Sequence, residues 1–207
     1  MPLRDALSSH LKVSLAIDCD RAGYVLGEQW RGAARGLRDV VFAAVGTGIG
    51  VGILSDGRIV AGAHGIAGAA GWFALDPRWK EEYARTGCWE SEAAGPAVGR
   101  KGARSTKAVV EAARAGDTAA LAVIDEVSEY LAMSVANLIS LLNPEMVVLG
   151  GGLMNAGDLF LDRIRTRAKR WAQPVAFPKT RIELTQLGED AGLLGAARLA
   201  LQSIEAK

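Results

Sequence analysis

Between Val41 and Gly57 the chain reads VFAAVGTGIGVGILSDG, an apolar run of strand length followed by glycine at every second position from Gly46 to Gly52. A buried strand that runs straight into a glycine-rich turn commits the chain to a sheet with something lying close against one of its ends. The Asp56-Gly57 pair has strand-like residues on both sides and suits a two-residue type I′ turn. Val40–Val45 and the two arms of GVGILSDGRIVAGA therefore read as three consecutive antiparallel strands. The glycine stretch itself has two readings. Gly46-Thr47-Gly48 at a strand end leaves backbone amides able to converge on a phosphate, with Thr47 adding a hydroxyl and Gly50 continuing the clearance. A tight hairpin entry with a glycine bulge has the same composition.

The remainder of the chain alternates. A short helix is expected over Asp5–Leu11, a strand over Val13–Ile17 and a helix over Ala22–Leu37. Gly62–Gly102 is irregular and too long for an ordinary connection, so part of it should be functional or fold into short elements. Helices are expected over Ser105–Gly116 and from Asp117 to Leu142, the second carrying an apolar stripe at helical spacing and closed by Pro144. A strand over Glu145–Leu149 runs into Gly150, Gly151 and Gly152 ahead of a helix over Gly157–Trp171. A strand over Arg181–Leu187 and an amphipathic helix over Leu193–Ile204 complete the order. An antiparallel meander followed by strand-helix alternation implies an α/β fold with a mixed sheet and helices over its faces. The three glycines after Leu149 are either a tight strand-to-helix turn or a flat wall for an adenine ring; two glycine-rich strand ends in one small domain favour a nucleotide site.

Composition narrows the partners. Half of the 207 residues are hydrophobic, enough for one substantial core or two small lobes. The net charge of +1, from 24 basic and 23 acidic residues, provides no field that would recruit nucleic acid or an anionic membrane. No apolar run approaches a membrane span and the first seventeen residues lack a signal-peptide core, so a cytoplasmic protein is expected. Cys19 and Cys88, with only His10 and His64 beside them, form neither a zinc pattern nor a disulfide framework.

Four segments, IDCDRAGYVLGE, VGTGIGVGILSDGRIVAGAHGIAG, LLNPEMVVLGGGL and EDAGLLGAARLA, resemble the ROK family of repressors and sugar kinases in order and spacing. The resemblance covers nearly all of the chain from Leu3 onward. It implies an actin-like ATPase fold built on ribonuclease H-like lobes, closing over a hexose and ATP, with Mg²⁺ carried by the ATP. The family's N-D-A-N motif, aligned through Leu26-Gly27-Glu28, places a catalytic aspartate at Asp20, as the general base that takes the proton of the attacking sugar hydroxyl. Read alone, Asp20 is equally a helix N-terminal residue with a solvated carboxylate.

The chain departs from the family at informative places. Cys19 and Ala22 stand where the family has asparagines. AGAAGW replaces A-G-E-x-G-H, so that Ala69 stands for the glutamate and Trp72 for the histidine. Only Cys88 remains of three zinc-loop cysteines, with Glu81 and Tyr83 at the other places, so zinc is not expected. Trp72 could stack on a sugar or simply pack, Glu90 or Glu92 could replace the lost carboxylate or be solvated, and His64 could reach a substrate hydroxyl or lie on the surface. The family's D-x-G-G-T strand-turn has no counterpart, so the chain is expected to be incomplete at its front, with weak or absent turnover by itself. Residues 1–37 are then a remnant of the N-terminal lobe carrying the aspartate, 38–189 the C-terminal lobe and 190–207 a helix returning to the first lobe. The expected function is ATP-dependent phosphorylation of a hexose or N-acetylhexosamine, with a sugar-sensing regulator or a decayed fragment as alternatives. A homodimer is the family's habit.

Overall fold

A computed structural model describes residues 3–11, 13 and 15–205. Helix α1 spans Leu3–His10 and α2 spans Asp20–Arg31, followed by strands β1 (Val40–Val45), β2 (Ile49–Ser55) and β3 (Arg58–Ile59). Four short helices fill the irregular region and its end: α3 (Tyr83–Thr86), α4 (Cys88–Ala93), α5 (Gly95–Lys101) and α6 (Thr106–Arg114). Then come α7 (Thr118–Leu142), β4 (Met146–Gly150), α8 (Gly157–Trp171), β5 (Arg181–Leu184) and α9 (Asp190–Glu205).

The five strands form one mixed sheet in the order β3-β2-β1-β4-β5. β1 pairs antiparallel with β2 and β2 with β3, while β1 pairs parallel with β4 and β4 with β5. The hairpin between β2 and β3 turns at Asp56 and Gly57, both with positive φ (50° and 73°), as a type I′ turn requires. β1 and β4 are covered on both faces, which explains their uninterrupted apolar sequences. Val41, Ala43, Val45, Val147 and Leu149 join the larger core with α4 to α8, centred on Trp89, Phe160 and Ile164. Val40, Phe42, Met146 and Val148 pack on the other face against Val25 and Leu26 of α2 and Leu199 of α9.

α2 and α9 cross with their backbones nearly touching. A Cβ on Gly27 would collide with the carbonyl of Ala191, and one on Gly195 with the carbonyl of Gly23. These glycines provide clearance for a close crossing, so α2 and α9 lie as one layer on the sheet that also carries β1.

Several boundaries move from their sequence expectations for local reasons. The strand expected over Val13–Ile17 does not form among the described residues of that segment: no strand pairs with it, and Val13 and Ile17 are exposed. The helix expected to reach Leu37 ends at Arg31, with Gly32 as its cap and Gly36 in the left-handed region. β5 stops at Leu184, and Thr185 makes one last bond to the Leu149 carbonyl before the chain leaves the sheet. α6 and α7 are capped by Ser105 and Asp117, whose side chains accept the amides of Ala108 and Ala120. No helix among the described residues is long and apolar enough to cross a membrane.

Candidate active site

Because β1, β4 and β5 run parallel, their carboxyl ends share one edge of the sheet, where ligands of such sheets bind. Val45 leads into Gly46-Thr47-Gly48, Gly150 into Gly151-Gly152, and Leu184 into Thr185–Glu189. A cavity of about 670 Å³ opens there, lined by Asp20, Arg21 and Tyr24 of α2, by Gly46–Gly50, by Glu90 of α4, and by Gly151, Gly152, Asn155 and Thr185. A second cavity of about 780 Å³ lies alongside, between the glycine turns and the N-terminal parts of α5 and α6, and includes Gly95, Pro96, Thr106, Lys107 and Val110. The two share Gly46, Thr47, Gly152 and Asn155.

The turn at this junction leaves backbone donors uncommitted. The Gly46 amide donates to the Gly48 carbonyl at 2.9 Å, and the Gly46 carbonyl accepts the Gly95 amide at 2.8 Å, which fixes the turn against α5. The amides of Thr47 and Gly48 and the Thr47 hydroxyl have no intramolecular partner among the described residues. Three donors thus remain at the turn, those of Thr47 where the two cavities meet and that of Gly48 in the first. Glu90 braces the turn from beneath: its Oε2 accepts the Ile49 amide at 2.7 Å, and a Cβ on Gly48 would come within 2.9 Å of that oxygen.

The other glycines divide by task. Gly151, with φ of 88°, passes against the Val45 backbone and lines the first cavity, whereas a Cβ on Gly152 would meet nothing within 4 Å. Gly150 lines neither cavity; it leaves room for the Phe42 ring, on which Tyr24 stacks at 5.4 Å. Gly50 lies beneath the side chain of Arg21.

Asp20 is the first residue of α2 and its carboxylate is exposed to the cavity. Oδ1 accepts the Arg21 amide at 2.9 Å and the Cys19 thiol at 3.6 Å. Behind the site, Glu28 on the same helix is fully buried and accepts three bonds: from the Thr185 hydroxyl, from the Leu187 amide at 3.0 Å and from the Ala33 amide at 2.7 Å. It ties α2 to the loop that carries Thr185 and Gly188 into the cavity.

Three residues expected near substrate lie elsewhere. Cys19 borders a small separate recess, together with Val51 and Ala67. His64 is exposed on the loop after β3 and does not line the cavity. Trp72 ends a 3-10 turn whose backbone is pressed against Gly87, and its indole is 57% exposed outside the cavity. Cys88 is buried, its sulfur accepting the Leu75 amide at 3.4 Å. Glu92 faces Lys80, Lys101 and Tyr83 in the interior and not a ligand. Among the described residues there is no cluster of three or more His, Cys, Asp and Glu side chains able to enclose a metal ion.

The structure also brings in residues that sequence reasoning passed over: Arg21, Tyr24, Asn155 and Thr185 in the first cavity, Thr106 and Lys107 in the second. Arg21 carries a readable signal, since the N-D-A-N motif has alanine where this chain has a cation.

Comparison with known proteins accounts for this arrangement. The chain is 33% identical to a glucokinase of Halalkalibacterium halodurans over 97% of its own length and 68% of that protein. It is 32% identical to an N-acetyl-D-glucosamine kinase of Pectobacterium carotovorum over 97% of its length and 71% of that protein. The structure superposes with a TM-score of 0.85 on the ROK family glucokinase of Streptomyces griseus, solved with glucose and AMPPNP, at 30% identity and covering 97% of this chain and 72% of that one. The model of the ROK family matches residues 1–203, and together with the actin-like sheet and its glycine-lined edge this establishes that the chain belongs to the ROK family.

Proposed function

We propose that this chain is an ATP-dependent sugar kinase that transfers the γ-phosphoryl group to a hydroxyl of a hexose-class acceptor. The observation that carries the reading is the meeting of two cavities at Gly46-Thr47, with Asp20 in one of them only. Phosphoryl transfer needs an acceptor and a nucleotide held in line across a phosphate cradle, and catalysis comes chiefly from that positioning. The cavity with Asp20 takes the acceptor, and the cavity bordered by α5 and α6 takes the adenosine portion of ATP, against Pro96 and Val110 with Thr106 and Lys107 as polar contacts.

The amides of Thr47 and Gly48 and the Thr47 hydroxyl hold the transferring phosphate. Asp20 accepts the proton as the acceptor O–H bond breaks; the freed oxygen forms a bond to the γ-phosphorus, and the bond from that phosphorus to the bridging oxygen breaks with its electrons leaving on ADP. Mg²⁺, carried by the ATP phosphates, would supply charge neutralisation there. Glu90 keeps the turn in shape and Glu28 keeps Thr185 at the cavity wall, so neither needs to touch a substrate. Coupled measurement of ADP release across hexoses and N-acetylhexosamines tests the reading. At most weak turnover is expected of this chain, on at least one acceptor, and Asp20→Asn is expected to lower it by about 10²-fold or more; turnover that persists in that variant removes Asp20 from the role.

A further inference from the structure

The cavity proposed for the acceptor holds a cation beside Asp20. Arg21 follows Asp20 on α2, and its stem lies across β2 at Gly50, where an added Cβ would come within 2.8 Å of Cδ and 3.1 Å of Cγ. Any larger residue at position 50 would push the stem aside. The side chain so placed lines the cavity beside Asp20 and Tyr24. Its Nε is buried and has no hydrogen-bond partner among the described residues. The Arg21 side chain has no hydrogen bond or ion pair among the described residues, so its charge is left to an anion entering the cavity.

None of the three carboxylates lining the cavity, Asp20, Glu90 and Glu189, forms an ion pair with Arg21 among the described residues. Asp20 directs Oδ1 to the Arg21 amide and the Cys19 thiol, and Glu90 accepts the Ile49 amide. Nor does Arg21 border the second cavity, where Thr106, Lys107 and Arg114 are the polar groups beyond the residues shared with the first. The guanidinium fork matches a planar or tetrahedral oxyanion with two parallel hydrogen bonds.

We propose that Arg21 makes the acceptor site selective for a sugar that carries an anionic group, a carboxylate or a phosphate ester, over its neutral parent. The inference rests on the sugar-kinase reading and names the substrate class of that same site. Arg21 grips the anionic substituent and leaves a hydroxyl of the same sugar facing Asp20, so charge fixes which way the sugar enters.

The test is calorimetric titration of the full chain, without nucleotide, using glucose, mannose and galactose, each with its uronate and its 1-phosphate. The expected result is that at least one anionic member binds about tenfold or more tightly than its neutral parent. Arg21→Met, which keeps the aliphatic stem over Gly50, removes that margin, and Arg21→Lys restores part of it. The uronate and phosphate arms distinguish the two anion types. The proposal is overturned if no anionic sugar binds better than its parent, including the case in which none binds, or if Arg21→Met keeps the margin. It is also overturned if Arg21→Met lowers kcat equally for every acceptor with binding unchanged, because the guanidinium would then serve the transferring phosphoryl group. An anion preference with no ADP formed on any sugar would leave this inference standing while refuting the kinase reading.

Discussion

Two carboxylates are almost fully removed from solvent, Glu28 at 0% exposure and Glu92 at 1%, and they are stabilised by opposite means. Glu28 takes only neutral donors, two backbone amides and a hydroxyl. Glu92 sits between Lys80 and Lys101, the latter at 2.7 Å, with the Tyr83 hydroxyl at 2.5 Å; Lys101 also reaches Glu126. Burial opposes ionisation of Glu92, but the bonds from Lys101, Lys80 and Tyr83 outweigh it and hold the carboxyl at about 2. Burial, with the Glu92 bond, in turn pushes the Tyr83 phenol far above its ordinary range. Charge pairing therefore holds α3, α4 and α5 together through side chains that line neither cavity. Directional bonds to neutral donors secure the loop that lines one.

The comparison can be broken first at Glu92. Glu92→Leu leaves Lys101, whose side chain is only 15% exposed, without its buried partner, and a loss of about 3–5 kcal/mol is expected in urea denaturation. Acid gives a graded version of the same loss. The folded carboxyl titrates at about 2, below its ordinary 4.5, so its contribution is complete above about pH 4.5 and disappears as pH falls towards 2. Thermal melts of the parent should fall through that window more steeply than those of Glu92→Gln. Glu28→Gln is the smaller change in stability, about 2 kcal/mol, because an amide retains one acceptor for Thr185 and Leu187 and sets its NH₂ against the Ala33 amide. Its sharper effect should be on acceptor KM, through the displaced Thr185 loop, whereas Glu92→Gln should leave KM near the parent value.

How much of this was legible in the sequence depended on whether the cause was local. β1, the Asp56-Gly57 turn and α8 over Gly157–Trp171 followed from apolar runs, turn chemistry and helical spacing. The 13–17 run was apolar and of strand length, but a strand also needs a neighbour, which no pattern along the chain reveals. Glu28 read as part of an aligning motif; its burial depends on Thr185 and Leu187, more than 150 residues away in sequence. Arg21 was passed over in the sequence, and only the cavity wall and the bare backbone at Gly50 single it out. The glycine clusters were legible as a pair, though the sequence did not separate Gly150, which serves the Phe42 ring, from Gly152, which faces open space.

The close crossing of α2 and α9 has a mechanical consequence. Where Gly27 meets Ala191 and Gly195 meets Gly23, the two helices mesh like cog teeth, and a slip of one turn would carry Asp20 about 5 Å along the α2 axis. The aim of Asp20 into the cavity is thus set from behind by hydrogen atoms standing where methyl groups would not fit. A single methyl added at Gly27 or Gly195 would shift the cavity end of α2 without altering any residue that lines the cavity.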